Sequence, residues 1–153
     1  MESDYPIFER YNNNNSHCVK TDINSAKLRR YLANYNIIQN KTENFIIPLE
    51  KIPQDFIFDY MRGFMDADGC ISIRNRNGDK KVPTLSFCAH KKECLEQIRE
   101  IIQINNTISS INNNYFLIKE GKEVKLILDK FYKNSTENSR LTRKYNIYCS
   151  ILE

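Results

Sequence analysis

The fold of this 153-residue chain is decided by one short stretch, Tyr60-Met61-Arg62-Gly63-Phe64-Met65-Asp66-Ala67-Asp68-Gly69. Gly63 and Ala67 are four residues apart, so a helix places them on one face as a small stripe that a second helix can approach closely. Asp66 and Asp68 follow at the end of this helix, and Gly69 can end it in a conformation that other residues avoid. Because a helix C-terminus carries partial negative charge, two acids there favour a bound divalent metal; the alternative is a capped helix end with solvated acids.

The stretch resembles the signature of the LAGLIDADG homing endonucleases, with Met61 to Gly69 at the nine signature positions. Arg62 replaces a small residue, in the manner of the second motif of two-motif members. The letter-for-letter matches are Gly63, Asp66, Ala67, Asp68 and Gly69. The resemblance implies that two such helices pack side by side and hold metal-binding acids over the DNA minor groove. The packing surface would be formed by Gly63, Ala67, Tyr60 and Phe64.

The composition suits one small domain with a mild basic excess. The chain is 41% hydrophobic, which suits one compact domain, and its formal charge of +4 permits nucleic-acid binding. Between Cys70 and Lys92, six basic residues stand against one acid, a net +5. No apolar run reaches the length of a membrane span, and the first residues do not begin a secretory signal. We therefore expect a soluble intracellular protein, in a phage-infected bacterial cytoplasm or an organelle matrix.

The five cysteines predict free thiols rather than disulfides or a zinc centre. Their number is odd and no C-x-x-C pair is present. Cys88, His90 and Cys94, with His17-Cys18, have a spacing that fits no common zinc pattern.

The hydrophobic periodicity predicts an α+β fold. Asn24 or Ser25 caps a first helix that runs to about Tyr35, and Pro53 opens the motif helix. After the motif we expect a strand from Cys70, a turn at Asn77-Gly78 and a return strand to Ala89, followed by a helix through Ile104. The remaining expected elements are a hairpin of Ile108 to Ile111 and Tyr115 to Lys119, a helix over Glu123 to Tyr132 and a last helix over Leu141 to Tyr148.

This order, αββαββα, is also the order of one LAGLIDADG half-domain. The resemblance therefore covers residues 52–153 and implies an antiparallel sheet that forms a DNA-binding saddle. Residues 1–51 are interpreted as an N-terminal extension that resembles the tail of a first half-domain. Only one copy of the motif is present.

The strands after Gly69 carry the candidate contacts to double-stranded DNA. A twisted ribbon fits the major groove, where side chains from one face reach base edges, and cations also meet phosphates. The alternative is a solvated hairpin whose charges keep the protein soluble. The DNA-binding candidates are Ser72, Arg74, Arg76, Lys80, Lys81, Thr84, Ser86 and His90.

The chemistry implied by the resemblance is phosphodiester hydrolysis with Mg²⁺ or another divalent cation and no organic cofactor. Asp68 is then the direct metal ligand, assisted by the backbone carbonyl of Ala67, while Asp66 supports the helix end. Arg143 or Lys144 is nominated as the basic group near the attacking water; the alternative is a cationic helix face that touches phosphate or solvent.

A single motif needs a second half to complete such a site. We favour a homodimer over pairing with a separately encoded half. The predicted function is a site-specific endonuclease that makes a double-strand cut in DNA. The alternative is a non-cleaving DNA- or RNA-binding protein derived from one: a regulator, a splicing helper or a structural subunit.

Overall fold

A computed structural model describes residues 6–11, 17–38, 45–76, 78 and 80–152. The strands are β1 (Ile7–Tyr11), β2 (His17–Thr21), β3 (Cys70–Arg76), β4 (Lys80–Ala89), β5 (Ile108–Ile111) and β6 (Asn114–Glu120). The helices are α1 (Ala26–Ala33), α2 (Ile57–Asp68), α3 (Lys92–Ile101), α4 (Glu123–Tyr132) and α5 (Thr142–Leu152). Single 3₁₀ turns lie at Leu49–Lys51, Gln54–Phe56 and Glu137–Ser139.

Strands β3 to β6 form one antiparallel sheet in the order β3-β4-β6-β5. Ile71 pairs with Leu85 and Phe87 pairs with Leu117 on neighbouring strands, and all four are buried, so they mark the face that the helices cover. The α+β class and the order αββαββα predicted from the sequence are confirmed, with α5 added at the end.

The core lies between this covered face and the helices. Helix α2 contributes side chains from more than one side, because broad apolarity lets it contact both the sheet and α4. Fully buried side chains include Met61, Met65, Leu85, Phe87, Leu95, Ile98, Leu117, Val124, Leu128 and Phe131.

The end of the N-terminal extension joins this core. Phe45 and Ile47 are buried, and the main chain of Ile47 exchanges two hydrogen bonds of 2.8 and 2.9 Å with the side-chain amide of Gln97 on α3. Upstream, Ser25 caps α1 as predicted, because its Oγ accepts a hydrogen bond from the Leu28 N–H at 3.2 Å. The β1–β2 hairpin was not predicted.

Several helix boundaries differ from the sequence prediction. The helix expected to open at Pro53 begins with a 3₁₀ turn over Gln54–Phe56 and becomes α-helical only at Ile57. The helix expected to continue through Ile104 ends at Ile101, because Gln103 takes a positive φ of 57° and the Ile104 N–H turns back to the Arg99 carbonyl. The last helix runs on to Leu152 rather than stopping at Tyr148. The five cysteines, all within the described residues, form no disulfide.

Gly69 ends α2 for a reason other than the one predicted. Its φ of −81° and ψ of 168° are extended values that any residue adopts, so no special conformation is involved. A Cβ at this position would instead lie 2.9 Å from both the Cα and the carbonyl oxygen of Met65. Glycine is required here because the chain passes so close to the last turn of the helix.

Candidate functional site

The two acids at the end of α2 have different surroundings. Asp66 is half-buried and turned inward: its carboxylate accepts hydrogen bonds from the Leu141 N–H at 2.9 Å and from the Tyr132 hydroxyl at 3.5 Å. Burial and the nearby Asp66 carboxylate raise the pKa of Tyr132. Asp68 is exposed, and no hydrogen bond or ion pair from the described part of the chain reaches its carboxylate. The Asp66 carboxylate is therefore engaged by hydrogen bonds within the chain, whereas the Asp68 carboxylate is available to bind a ligand.

Lys144 lies beneath the same helix end. Its ammonium donates hydrogen bonds to the carbonyl oxygens of Met65 at 2.6 Å, Asp66 at 2.9 Å and Gly69 at 2.5 Å. The Met65 carbonyl also accepts from the Gly69 N–H at 3.0 Å, and the ammonium adds donors to it and to the Asp66 and Gly69 carbonyls, which offsets the negative end of the helix dipole. Lys144 is 3% exposed, so the nominated lysine acts on the main chain that carries Asp68.

Opposing effects act on the pKa of Lys144. Burial and the adjacent Arg143 guanidinium lower the pKa of Lys144 below the ordinary lysine value, and the carboxylates of Asp66 and Asp68 act in the opposite direction. Arg143 itself is exposed on α5. Of the two nominated cations, Arg143 is therefore the one that can meet solvent or phosphate.

A cavity of about 310 Å³ opens beside Asp68. His90 and Lys91, at the end of β4, contribute basic groups to its wall, and Cys88 contributes a thiol. Burial raises the pKa of the Cys88 thiol, which keeps it protonated. The exposed carboxylate thus borders a concave surface that also carries cations, an arrangement suited to a phosphate group.

The small-residue stripe of α2 is open. Gly63 and Ala67 are exposed, and a Cβ built on Gly63 would meet no atom within 4 Å. Phe64 is half-buried, with its ring stacked on Phe45 at 5.7 Å, and burial of Tyr60 raises the pKa of its hydroxyl to about 12. No described residue obstructs backbone approach by a second helix at the two small residues, while the two aromatic rings already pack within the chain.

The sheet face opposite the helices carries most of the predicted DNA contacts. The register pairs Ser72 with Thr84 and Arg76 with Lys80, and residues paired in this way share a face. Lys81, paired with Asn75, belongs to the other face, and His90 lies beyond the end of β4. The residues that the register brings to the open face are Ser72, Arg74, Arg76, Lys80, Thr84 and Ser86. Thr84 is only 1% exposed, so its hydroxyl does not reach the surface of this face, whereas Arg74, Arg76 and Lys80 are exposed.

Residues 61–152 match the family model described as LAGLIDADG endonuclease. The chain belongs to the LAGLIDADG endonuclease family. This is a family of DNA-cleaving enzymes, and the matched residues include the motif helix, the whole four-stranded sheet and helices α3 to α5. No curated protein matches the chain.

Solved homing endonucleases share this LAGLIDADG fold. The structure of I-CvuI in complex with its target in the presence of 2 mM Ca is 18% identical, with a TM-score of 0.51 over 64% of this chain and 65% of that chain. A mutant of I-SmaMI is 21% identical, with a TM-score of 0.51 over 62% of this chain and 36% of that chain. The chain thus spans less than two thirds of either protein.

The donor set at the end of the LAGLIDADG helix fits a hard divalent cation in part. The Asp68 carboxylate and the Ala67 carbonyl offer oxygen ligands, and no hydrogen bond from the described residues ends on that carbonyl. Within the described ranges, no group of three or more His, Cys, Asp or Glu side chains converges as a metal site. The described residues thus offer two oxygen ligands at this helix end.

One residue of the open face, Glu120, was not predicted from the sequence. Its carboxylate pairs with Arg74 at 3.6 Å and with Arg76 at 2.6 Å. The alternation of β6 was readable from the sequence, but the pairing of β6 with β4 was not, and that pairing puts Glu120 among the arginines. Among the described helices, none is long and apolar enough to cross a membrane.

Proposed function

We propose that this protein is a site-specific, divalent-metal-dependent DNA endonuclease that makes a double-strand cut once α2 pairs with a second LAGLIDADG half. The observation that carries the proposal is the contrast between the two acids: Asp66 is tied into the fold, and Asp68 is exposed and unpaired within the described residues. An acid at a helix C-terminus is unfavourable by itself. A metal ligand explains why it stands there.

Asp68 and the carbonyl oxygen of Ala67 are the proposed metal-holding groups, with Mg²⁺ the ion that suits two hard oxygens. A bound divalent ion supplies stabilisation of the charge that develops when a phosphodiester is hydrolysed. The similar I-CvuI was crystallised with its target in the presence of calcium, which supports a divalent requirement.

Lys144 is proposed as a positioning residue for this site. Its ammonium fixes the carbonyls on either side of Ala67, so the carbonyl of Ala67 and the carboxylate of Asp68 keep a defined direction. Arg143, exposed on the same helix, is the proposed basic group for DNA phosphate near the reacting centre. His90 and Lys91 are proposed to contact the same phosphate from the neighbouring cavity wall.

The second half of the site is proposed to come from a second copy of this chain. The stripe of Gly63 and Ala67 is exposed and unobstructed, which a close helix pair needs. Packing two such helices would bring one Asp68 from each copy together and complete the coordination shell. In the alternative, a separately encoded LAGLIDADG half would pack its helix against the same stripe.

Double-stranded DNA is the proposed substrate of the open sheet face. Arg74, Arg76 and Lys80 place cations there, and Ser72 and Ser86 add hydroxyl groups that donate to or accept from bases and phosphates. The face belongs to a four-stranded antiparallel sheet and lies opposite the buried side chains of Ile71, Leu85 and Phe87.

The test compares Asp68→Asn with Asp55→Asn, a matched removal of an exposed acid at the other end of the motif helix. Target duplexes are first recovered from a randomised pool by cleavage in Mg²⁺. We expect Asp68→Asn to slow cleavage at least about a hundredfold with little change in DNA affinity, because the loss of even a supporting group commonly costs that much at metal sites. Asp55→Asn should cut as the wild type does.

Equal loss of binding and cleavage in Asp68→Asn would contradict metal ligation by Asp68. A wild-type protein that binds duplexes without a divalent ion and cuts none of them would instead establish the non-cleaving alternative.

A further inference from the structure

One acid stands among the cations of the open sheet face. Glu120, the last residue of β6, lies in one row with Thr84 and Ser72 across three strands. Its two carboxylate oxygens are shared between two arginines of β3: Oε2 accepts from Arg76 at 2.6 Å, and Oε1 lies 3.6 Å from Arg74. Both arginines therefore reach across β4 towards a single carboxylate.

The energetics of folding do not account for this arrangement. The side chains of Arg74 and Arg76 are 54% and 63% exposed and that of Glu120 is 25% exposed, and ion pairs with partners this exposed contribute little to stability. A carboxylate on a surface that approaches DNA also opposes binding, because it repels the phosphates. On a face that binds DNA, an acid at this position weakens general affinity, and the benefit that offsets this cost is selectivity in which DNA is bound.

The pair of Arg76 and Glu120 presents hydrogen-bonding groups that match one base pair. After its bond to Glu120, the Arg76 guanidinium has donors left, and each carboxylate oxygen of Glu120 has a lone pair left. In the major groove, guanine offers two acceptors, O6 and N7, and the cytosine paired with it offers the N4 amino donor beside them. The Arg76 donors and the Glu120 acceptor lie side by side on the protein, as the guanine acceptors and the cytosine amino donor do on a G·C pair.

We propose that Arg76 and Glu120 together read one G·C base pair of the target, with Arg76 donating to guanine and Glu120 accepting from the cytosine amino group. Arg74 acts as a positioning residue, because it holds the second oxygen of the carboxylate. The inference rests on the proposed function, since it requires that the open sheet face binds DNA.

The same pair rejects A·T in that orientation. Adenine turns an amino donor towards the Arg76 donors, and thymine turns its O4 acceptor towards the Glu120 carboxylate. Two unfavourable contacts replace two favourable ones, and each well-made contact of this kind discriminates by about 5- to 150-fold in affinity. The acid thus converts a general attraction for DNA into a preference at one position.

The experiment compares the base preferences of wild type, Glu120→Gln and Glu123→Gln on duplexes selected from a randomised pool. Glu123 is the matched control, because it is an acid three residues away from Glu120. Its ion pair is with Lys119, and Lys119 lies on the helix-covered face of the sheet. In Glu120→Gln we expect one G·C position to lose about 5- to 150-fold of its preference over A·T, with the other positions unchanged. Affinity for unrelated duplexes should rise, since one repelling charge is gone. Glu123→Gln should keep the wild-type profile.

A double variant separates base reading from simple charge removal. Arg76→Gln should relax the same position as Glu120→Gln, and the two changes together should relax it no further, because both act through one base pair. The inference is overturned if the Glu120→Gln profile equals that of wild type, or if every position relaxes equally. In either case, selective binding by the wild type would still support the proposed function. A wild type that selects no duplex contradicts the proposed function itself, and the base-reading role with it.

Discussion

At the scale of single residues, the two acids of the motif should differ in what they contribute to folding. Asp66→Ala removes the acceptor for the Leu141 N–H and the Tyr132 hydroxyl, and we expect it to lower the free energy of unfolding by about 1–3 kcal/mol. Asp68→Ala removes an exposed acid from a helix C-terminus and should stay within about 0.5 kcal/mol of wild type. Urea unfolding of both variants at neutral pH measures the contrast. Equal losses would contradict the division of roles between the two acids.

The same helix end shows how far residue-level prediction extends. Asp68 and Asp66 were assigned different roles from the sequence, because the motif resemblance identifies them one by one. Lys144 was nominated by the same resemblance, but its bonds to the Met65, Asp66 and Gly69 carbonyls depend on how α5 packs beneath α2. That contact joins residues at least 75 positions apart, a distance at which hydrophobic periodicity carries no information.

At the scale of elements, prediction succeeded where a local signal determines the structure. The second hairpin was placed correctly, because Asn112 and Asn113 both adopt positive φ, 49° and 62°, which asparagine tolerates better than most residues. The Glu123–Tyr132 helix was also predicted correctly. The β1–β2 hairpin was missed, because its five-residue strands are exposed throughout and show no apolar alternation against a core.

The packing of α4 against α5 leads to a prediction about pH. Asp129 accepts hydrogen bonds from the Tyr148 hydroxyl at 2.8 Å and from Lys125 at 3.0 Å. Burial alone would raise the pKa of Asp129, but these two donors outweigh it and hold the pKa below the ordinary value of 3.8. A carboxylate with a lowered pKa stabilises the fold above its unfolded-state pKa, and this stabilisation is lost as the pH falls through the lowered value.

Asp129→Asn should therefore be less stable than wild type at pH 7, by less than about 1 kcal/mol because the side chain is more than a third exposed. The difference should vanish near pH 2. Urea unfolding of both proteins at several pH values gives this difference directly. Tyr148→Phe is the control, because it removes one of the two donors and should shrink the dependence on pH. A difference between wild type and Asp129→Asn that is constant from pH 7 to pH 2 would contradict the assignment.

At the scale of the whole molecule, Gly63→Ala should have opposite effects on folding and on assembly. Glycine inside a helix costs roughly 0.5–1 kcal/mol relative to alanine, and an added Cβ meets nothing within 4 Å, so the single chain should become more stable by about that amount. The proposed pairing of two α2 helices needs close backbone approach at this stripe, which a methyl group obstructs. Gly63→Ala should therefore shift the mass in light scattering from dimer to monomer and slow DNA cleavage in parallel.

Asn146→Ala on the exposed side of α5 is the matched control, because it also raises helix propensity and should leave both mass and cleavage unchanged. The comparison distinguishes pairing with a second copy of this chain from pairing with a different chain. A wild type that dimerises, with a dimer that Gly63→Ala dissociates, establishes self-pairing through the stripe. A wild type that stays monomeric at every concentration contradicts the homodimer, and the open stripe beside Asp68 then requires a helix from a different chain.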